Sequence, residues 1–354
     1  MDASPGTPYN VRYGTIGEWV QKEPLVVFHL IRDRLRKLLS ASEKDLERAE
    51  ADPLWAVQQG FCDGVYPFHK REPHSLQKVQ ERRFRIICGI SMVDQGVERF
   101  LFGDFSKCVK RMYPRGPATI GLSVSDPGIE ALGEVVRTRK GHLHSSDVSG
   151  FDSVQYLALM MAVLGLCFAL CINRAKCVRW RLACRFRITL LTACVYVLSD
   201  GSMLVKKNNS RVLPSGSYLT SLIQSLSRVF LAYYIGSTWV KAQGDDCLEE
   251  NSLTSEELEA AYQSIGIPVR NVESCTATDF EFCSHRYKYE NGSWIAYLTS
   301  WPKTVFSILT DRVPTLEKVT ALEYETRHNP ERSQPRFKAM LRYLEESCIN
   351  LSPG

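Results

Sequence analysis

No Cys-x-x-Cys pair occurs anywhere in the 354 residues, although the chain carries twelve cysteines. Scattered this way, they form neither paired zinc ligands nor the disulfide framework of a short secreted domain. The N-terminus lacks the basic-then-apolar pattern of a secretory leader, so reduced thiols and a cytosolic compartment are expected. Internal repeats and low-complexity linkers are missing too, which excludes a solenoid or a tethered array. Excess charge of either sign is slight. The 44 Lys and Arg stand against 39 Asp and Glu, giving +5, which permits contact with nucleic acid or anionic lipid without requiring either. What the chain does have is 44% hydrophobic residues, enough to bury a large core in two or three subdomains.

Charge is locally absent from one long run. Ser153 to Asn173, "SVQYLALMMAVLGLCFALCIN", is uncharged throughout, and six basic residues follow between Arg174 and Arg187. Such a run spans a bilayer with a positive-inside flank, or forms a helix buried in a core. Gln155, Tyr156, Gly165 and Asn173 interrupt its apolar character and favour burial. The basic stretch behind it, "RAKCVRWRLACRFR", alternates Arg179, Arg181 and Arg185 with Trp180 and Phe186. That pattern suits phosphate contact with base stacking, or equally a solvated face.

Elsewhere the local signals are plainer. "LVVFHLIRDRLRKLL" has helical spacing, with Ser42 and Asp45 as a capping pair for the next helix. Thr254 and Glu257 form a second capping box, opening a helix that stops at Gly266 and Pro268. "VRNV" and "FEFCSHRYKYENGSWIAYLT" read as strands turning at Asn291 and Gly292, and the last forty or so residues read as helical.

The stretch "KAQGDDCLEE" places Asp245 and Asp246 directly behind Gly244. Neighbouring strand residues point to opposite faces, so two adjacent acids converge only where the chain turns sharply, as glycine allows. A hairpin tip is expected. By itself Gly-Asp-Asp arises by chance in roughly one such chain in twenty-five. In "HSSDVSGFDSV", however, Asp147 and Asp152 flank a Ser-Gly turn behind a strand-like run. If that strand lies beside the hairpin, three carboxylates crowd one spot and need cations between them. All-oxygen ligands select magnesium or manganese, and two such ions serve in-line displacement at phosphorus. Between the acid sites, "LPSGSYLTSLIQSLSRVF" supplies a loop at Pro214, Ser215 and Gly216, then Thr220, Gln224 and Arg228 at helical spacing.

Asp147 with Asp152, then Ser215, Gly216 and Thr220, then Gly244-Asp245-Asp246, resembles motifs A, B and C of viral RNA-dependent RNA polymerases, in order and separation. "KREPHS", "RFRIICGISMVDQGVERFLF", "DVSGFD" and "FEFCSH" resemble in particular the sobemovirus, polerovirus and barnavirus group, over roughly residues 66 to 300. The resemblance implies an α+β right-hand polymerase: a palm of antiparallel sheet and helices, encircling fingers and a small helical thumb. The implied divisions are 1–146 for an N-terminal extension and fingers with motif F, 147–162 for palm motif A, 163–212 for a fingers insertion, 213–288 for palm motifs B to E, and 289–354 for the thumb. On that plan the uncharged run is the long palm helix behind motif A.

The resemblance also implies roles. Asp147 and Asp245 are the principal metal ligands and catalytic acids, with Asp246 less directly engaged. Asp152, Ser215, Gly216 and Thr220 read the ribose and position the base pair. Gln224 stands where the group has Asn, one methylene longer. Lys70, Lys78, Arg83 and Arg85 match motif F, which neutralises the triphosphate, while Arg71 and Arg82 read as plain surface charge. Arg270 stands where motif D often has a proton-donating lysine, and arginine holds its proton too tightly for that task. Cys283 and His285 fall in motif E and read as structural. His142 and His144 lack a third ligand at zinc spacing. Arg179, Arg181 and Arg185 would touch RNA.

The implied activity is RNA-directed RNA polymerisation in replication of a positive-strand RNA virus genome, with two Mg2+ ions as cofactor and Mn2+ able to substitute. Implied partners are RNA template and product, nucleoside triphosphates, a genome-linked protein, and host membranes reached through other viral proteins. The chain itself is expected to be monomeric, in a replication complex of the host cytoplasm. Gln224 and Arg270 leave a second reading open: a membrane-anchored or RNA-binding replication protein with impaired or absent polymerase chemistry.

Overall fold

In the computed structural model, which describes residues 3–350 apart from 71, 75, 155, 206–211 and 311–314, capping side chains decide where the first helices begin. Thr15 accepts the Glu18 N–H ahead of α1 (Ile16–Lys22), and Pro24 opens α2 (Pro24–Ser40). Ser42 and Asp45 cap each other reciprocally at α3 (Glu43–Ala51), as their spacing predicts, and α4 (Pro53–Gln58) follows. Strands β1 (Tyr66–His69) and β2 (Ile86–Gly89) pair antiparallel around the short α5 (Leu76–Gln80). The long α6 (Met92–Arg111) starts at a Ser91 cap, and α7 (Asp126–Arg137) precedes β3 (Leu143–Val148).

The uncharged run becomes α8 (Leu157–Leu170), which ends at Cys171 before the short α9 (Ile172–Ala175). At 14 residues it is too short to span a bilayer, and no helix of the described residues is long and apolar enough to cross a membrane. Protein does not surround it completely, which corrects the expectation of all-round burial. Met160, Val163, Leu164 and Cys167 face the core, while Ala158, Ala162, Gly165 and Ala169 form an exposed line of small side chains. Gln155 lies outside the described residues.

After α10 (Val178–Thr192) come the ribbon β4 (Val195–Val197) and β5 (Met203–Val205), then α11 (Thr220–Tyr234). The predicted hairpin is β6 (Trp239–Gln243) and β7 (Asp246–Glu250). The second capping box opens α12 (Ser255–Ser264), which leads to β8 (Val269–Cys275). A meander follows, β9 (Asp279–Phe282), β10 (His285–Glu290) and β11 (Ser293–Leu298), turning at Asn291 and Gly292 as expected. Three helices close the chain, α13 (Trp301–Leu309), α14 (Leu316–Glu325) and α15 (Pro335–Asn350).

Two sheets organise the middle of the molecule. One is antiparallel in the order β6-β7-β3-β8, the other is the meander. Helices α11 and α12 cover one face of the first sheet through Val229, Ala232, Leu258 and Tyr262, which meet Val240, Cys247, Val148 and Val269. On its other face, Leu143 and Leu248 meet Ile129, Leu132 and Val136 of α7 and Phe280 of the meander. A third and largest core joins α2, α3, α6, α8, α10 and α11, and a fourth holds the last three helices. The boundary at 162/163 cuts α8 and that at 288/289 cuts β10, whereas the cores divide near Leu298; α7, assigned to the fingers, packs on the sheets.

Candidate active site

Strand alternation aims the acids. In β3, Leu143, Ser145 and Asp147 share one face, and in β7 so do Asp246, Leu248 and Glu250. Because Ser146 pairs with Cys247, Asp147 at the end of β3 and Asp246 at the start of β7 stand side by side on that face. The turn between β6 and β7 is made by Gly244 at φ +64°, a left-handed conformation that suits glycine, and its N–H donates to Ser225 Oγ of α11 at 2.9 Å. Asp245 occupies the exposed tip. The strands that carry the three acids are thus neighbours, with Asp147 and Asp246 on one face and Asp245 at the turn.

Their crowding has an electrostatic signature. Burial, reinforced by the charges of Asp245 and Asp147, pushes the Asp246 carboxyl up to about 7. Asp245 is also raised, by the protein packed behind the turn and by Asp147, against the opposing charges of Arg85 and Arg270. Among the described residues no three acid, histidine or cysteine side chains form a ready-made metal cage. Arg270 donates Nε to one Asp147 carboxylate oxygen at 2.7 Å and Nη2 to the other at 2.9 Å. A guanidinium thus balances part of the negative charge that a divalent cation would meet. The donor set itself, oxygen-only and over-negative, fits a hard cation held by Asp147, Asp245 and Asp246.

Arg270 reaches Asp147 through a register shift. Ser145 pairs with Glu273 but Asp147 pairs with Arg270, so two residues of β3 answer three of β8. The bulge sits beside Asn271, at φ +51°. Without the extra residue Asn271 would face Asp147, and the Arg270 side chain would fall on the far face of the sheet.

Asp152 lies on a short turn behind β3, and Gln224 of α11 donates its amide Nε2 to Asp152 Oδ1 at 2.5 Å. The longer side chain therefore still reaches its partner, and its Oε1 would lie 3.9 Å from a Cβ at Gly244, so Gln224 stands between Asp152 and the acid turn. Ser215 Oγ accepts the Cys88 N–H of β2 at 3.2 Å, and a Cβ on Gly216 would sit 1.9 Å from the Cys88 carbonyl oxygen. Thr220 Oγ1 donates to the Pro214 carbonyl at 2.8 Å, bracing the loop rather than projecting from it. Arg228 does not join Thr220 and Gln224. It is fully buried on the opposite sheet face, donating to Ser146 Oγ at 2.6 Å and Glu249 Oε1 at 3.3 Å, 4.4 Å over the Tyr262 ring.

Of the four motif F cations, Arg85 is exposed and its charge bears on both Asp152 and Asp245. Lys70 pairs with Glu72 at 2.8 Å and Arg83 pairs with Glu81, while Lys78 is exposed on α5. Arg71 lies outside the described residues. In α10 the stacking expectation fails: Trp180 and Phe186 are 5% and 0% exposed, buried in the core, so neither is available to a base. The alternation is that of an amphipathic helix, which leaves Arg179 and Arg181 outside and ties Arg185 to Glu43 at 2.8 Å. Cys283 is partly buried near Asp246 and Asp245, and His285 Nδ1 meets the Cys283 carbonyl at 2.9 Å, a structural contact. His142 is exposed and His144 buried, with Ser255 Oγ 3.4 Å from its Nδ1, which gives no metal pair.

Sequence reasoning missed Glu98, whose carboxylate holds the loop after Ser215, and Glu249 beneath the acid strands. A usable signal existed for Glu98, since an acid four residues after Asp94 falls on the apolar stripe of α6.

Comparisons with known proteins bear on the family and the fold. The family model for viral RNA-dependent RNA polymerase matches residues 1–255. The chain is 33% identical over 324 residues to "Replicase polyprotein P2AB" of Southern bean mosaic virus, covering 87% of this chain and 32% of that protein. It is 34% identical to "Protein P1-P2" of Potato leafroll virus, covering 81% of this chain and 27% of that one. The chain thus spans less than a third of either relative. Among solved structures, the Sicinivirus 3Dpol RNA-dependent RNA polymerase superposes with a TM-score of 0.69 at 14% identity, covering 99% of this chain and 73% of that one. The fold is therefore that of a right-hand polymerase, of the α+β class expected.

Proposed function

The chain belongs to the viral RNA-dependent RNA polymerase family, and we propose that it extends an RNA 3′-hydroxyl along an RNA template during replication of a positive-strand RNA genome. The observation that carries this reading is the meeting of Asp147 with the Gly244-Asp245-Asp246 turn on one sheet face. In the reaction the O3′–Pα bond forms, the bond from Pα to the bridging oxygen breaks, and pyrophosphate leaves. Asp147 and Asp245, with Asp246 beside them, would hold two Mg2+ or Mn2+ ions, which supply activation of the 3′-hydroxyl and charge stabilisation at the leaving oxygen.

The chain's own side chains do the rest. Asp152, held by Gln224, and Ser215, held by Cys88, face the incoming ribose, where a hydroxyl distinguishes RNA from DNA precursors. Gly216 lets the loop close on β2. Arg85, exposed and electrostatically coupled to the acids, meets the triphosphate, with Lys70, Lys78 and Arg83 beyond it. Arg270 keeps its proton, since Asp147 raises its affinity further, and acts as a fixed charge. Both sheets with α7, α8, α11 and α12 form the palm, residues from Trp301 onward the thumb, and the remaining N-terminal elements, α10 and β4–β5 the fingers. Arg179 and Arg181 offer RNA two phosphate contacts from the outer face of α10. RNA template, product and nucleoside triphosphates are the partners this function requires, in a viral replication complex; a genome-linked protein would be supplied from elsewhere. Primer extension on a homopolymer template with Mg2+ or Mn2+ tests the reading: labelled nucleotide should be incorporated by the wild type and not by Asp245→Asn, and equal incorporation by both would overturn it.

A further inference from the structure

The segment "SMVDQGVE" carries part of the family resemblance, yet none of its side chains reaches the acids. Ser91 caps α6 by accepting the Asp94 N–H at 3.1 Å, and its hydroxyl donates to Asp63 Oδ2 at 2.6 Å. Gly96 lets α2 approach: a Cβ there would sit 2.6 Å from Ile31 Cδ1. Arg34, one turn further along α2, then reaches between two acids, donating to both oxygens of Asp63 at 2.6 and 2.8 Å and to Asp94 Oδ1 at 2.7 Å. Asp94 Oδ2 accepts the Asp63 N–H at 3.0 Å and lies 3.4 Å from Arg187 Nη1. Arg187 donates Nη2 and Nε to Glu98 Oε1 at 2.6 and 3.0 Å.

The free end of this ladder is the informative one. Glu98 is 0% exposed, and its remaining oxygen, Oε2, accepts both the Ser217 hydroxyl and the Tyr218 N–H at 2.9 Å. These donors belong to the loop that carries Ser215 and Gly216. Two guanidinium groups face three carboxylates, so one buried negative charge is left to dipoles: the Ser91 hydroxyl and Asp63 N–H at the two aspartates, and the loop's hydroxyl and N–H at Glu98. Burial accordingly raises the Glu98 carboxyl. A buried charge left without donors is costly, so the loop is held where its hydroxyl and N–H converge on that oxygen.

We propose that Glu98, held by Arg187, is a positioning residue for nucleotide selection: its charge fixes the 214–219 loop so that Ser215 presents its hydroxyl to the ribose. The loop then has two anchors, the Glu98 carboxylate at Ser217 and Tyr218 and the β2 backbone at Ser215 and Gly216. This rests on the assignment of Ser215 as a ribose reader. Glu98→Gln keeps the shape and removes the charge; Ser217→Ala removes one donor and spares the ladder.

The test is single-nucleotide incorporation of UTP and dUTP, read as the ratio of their kcat/KM values, which a simple loss of folded enzyme leaves unchanged. Expected is a fall in ribonucleotide preference of about tenfold for Glu98→Gln and about threefold for Ser217→Ala, as polar contact to one substrate loosens. An unchanged ratio in Ser217→Ala, and in Glu98→Gln where it folds, overturns the proposal. Ser215→Ala, assayed alongside, separates the causes: if it lowers the ratio, the ribose assignment stands and only the role of Glu98 falls; if it does not, the ribose assignment falls as well.

Discussion

Two clusters of acid in this molecule put the same kind of side chain to opposite ends. On the sheet face, Asp147 is paired with the half-exposed Arg270, Asp245 also feels the charge of the exposed Arg85, and burial with mutual repulsion raises Asp246 to about 7. In the ladder, Asp63, Asp94 and Glu98 are enclosed, and Arg34, Arg187, Ser91, Ser217 and two backbone N–H groups use up their oxygens. Both are over-negative. The difference is who supplies the compensation: protein donors make a scaffold, and unmet charge makes a site for something brought from outside.

The largest effect that would break the comparison lies on the open side. Asp245→Asn is expected to abolish incorporation, by about a thousandfold or more, with the melting temperature little changed; measurable turnover in a folded variant would take Asp245 out of the metal seat. Next comes the loss of a cation from each cluster. Arg187→Met strands Asp94 and Glu98 in the core and should cost about 3–5 kcal/mol in urea unfolding. Arg270→Met, at a side chain 47% exposed, should cost under about 1 kcal/mol. Equal costs would erase the distinction between scaffold and site.

A smaller effect depends on pH. The folded carboxyl of Asp246 ionises near 7 against 3.8 for the free group, so the folded metal-free protein binds more protons than the unfolded chain between those values. Stability contributed at Asp246 therefore falls as pH rises from about 4 to 7 and is flat above. Asp246→Asn should remove that loss, stabilising the EDTA-treated protein by about 2 kcal/mol at pH 7.5 and by nothing near pH 4. Urea unfolding at both pH values checks the sign. Smallest is the rim: Arg179→Ala with Arg181→Ala should weaken RNA binding about threefold at low salt and flatten its salt dependence, measured by fluorescence anisotropy.

The open cluster was legible in the sequence and the closed one was not. Gly244 before two acids announces its turn, and the strand before Asp147 announces its neighbour, because both signals are local. The ladder joins Arg34, Asp63, Asp94, Arg187 and Ser217, which are far apart in the chain and individually resemble surface charges. Arg187 sits among six basic residues, and only the inward turn of α10 separates it from Arg185. Trp180 and Phe186 misled for the same reason, since a helix with apolar residues on one face reads, residue by residue, as an alternating string. The bulge at Asn271 had no local signature that would have brought Arg270 to Asp147.

The sheet order β6-β7-β3-β8 also governs when a catalyst can exist. Asp147 and Asp246 become neighbours only by pairing strands about a hundred residues apart, with β4, β5 and α8 to α11 between them. Contacts of such long sequence separation carry a loop-closure cost before they return any stability, and they form late. A ribosome releasing this chain N-terminus first exposes β3 well before its partner strand is made, so a partly emerged chain carries one acid and no centre. Synthesis of the chain and assembly of its acid cluster are separated in time by the topology itself.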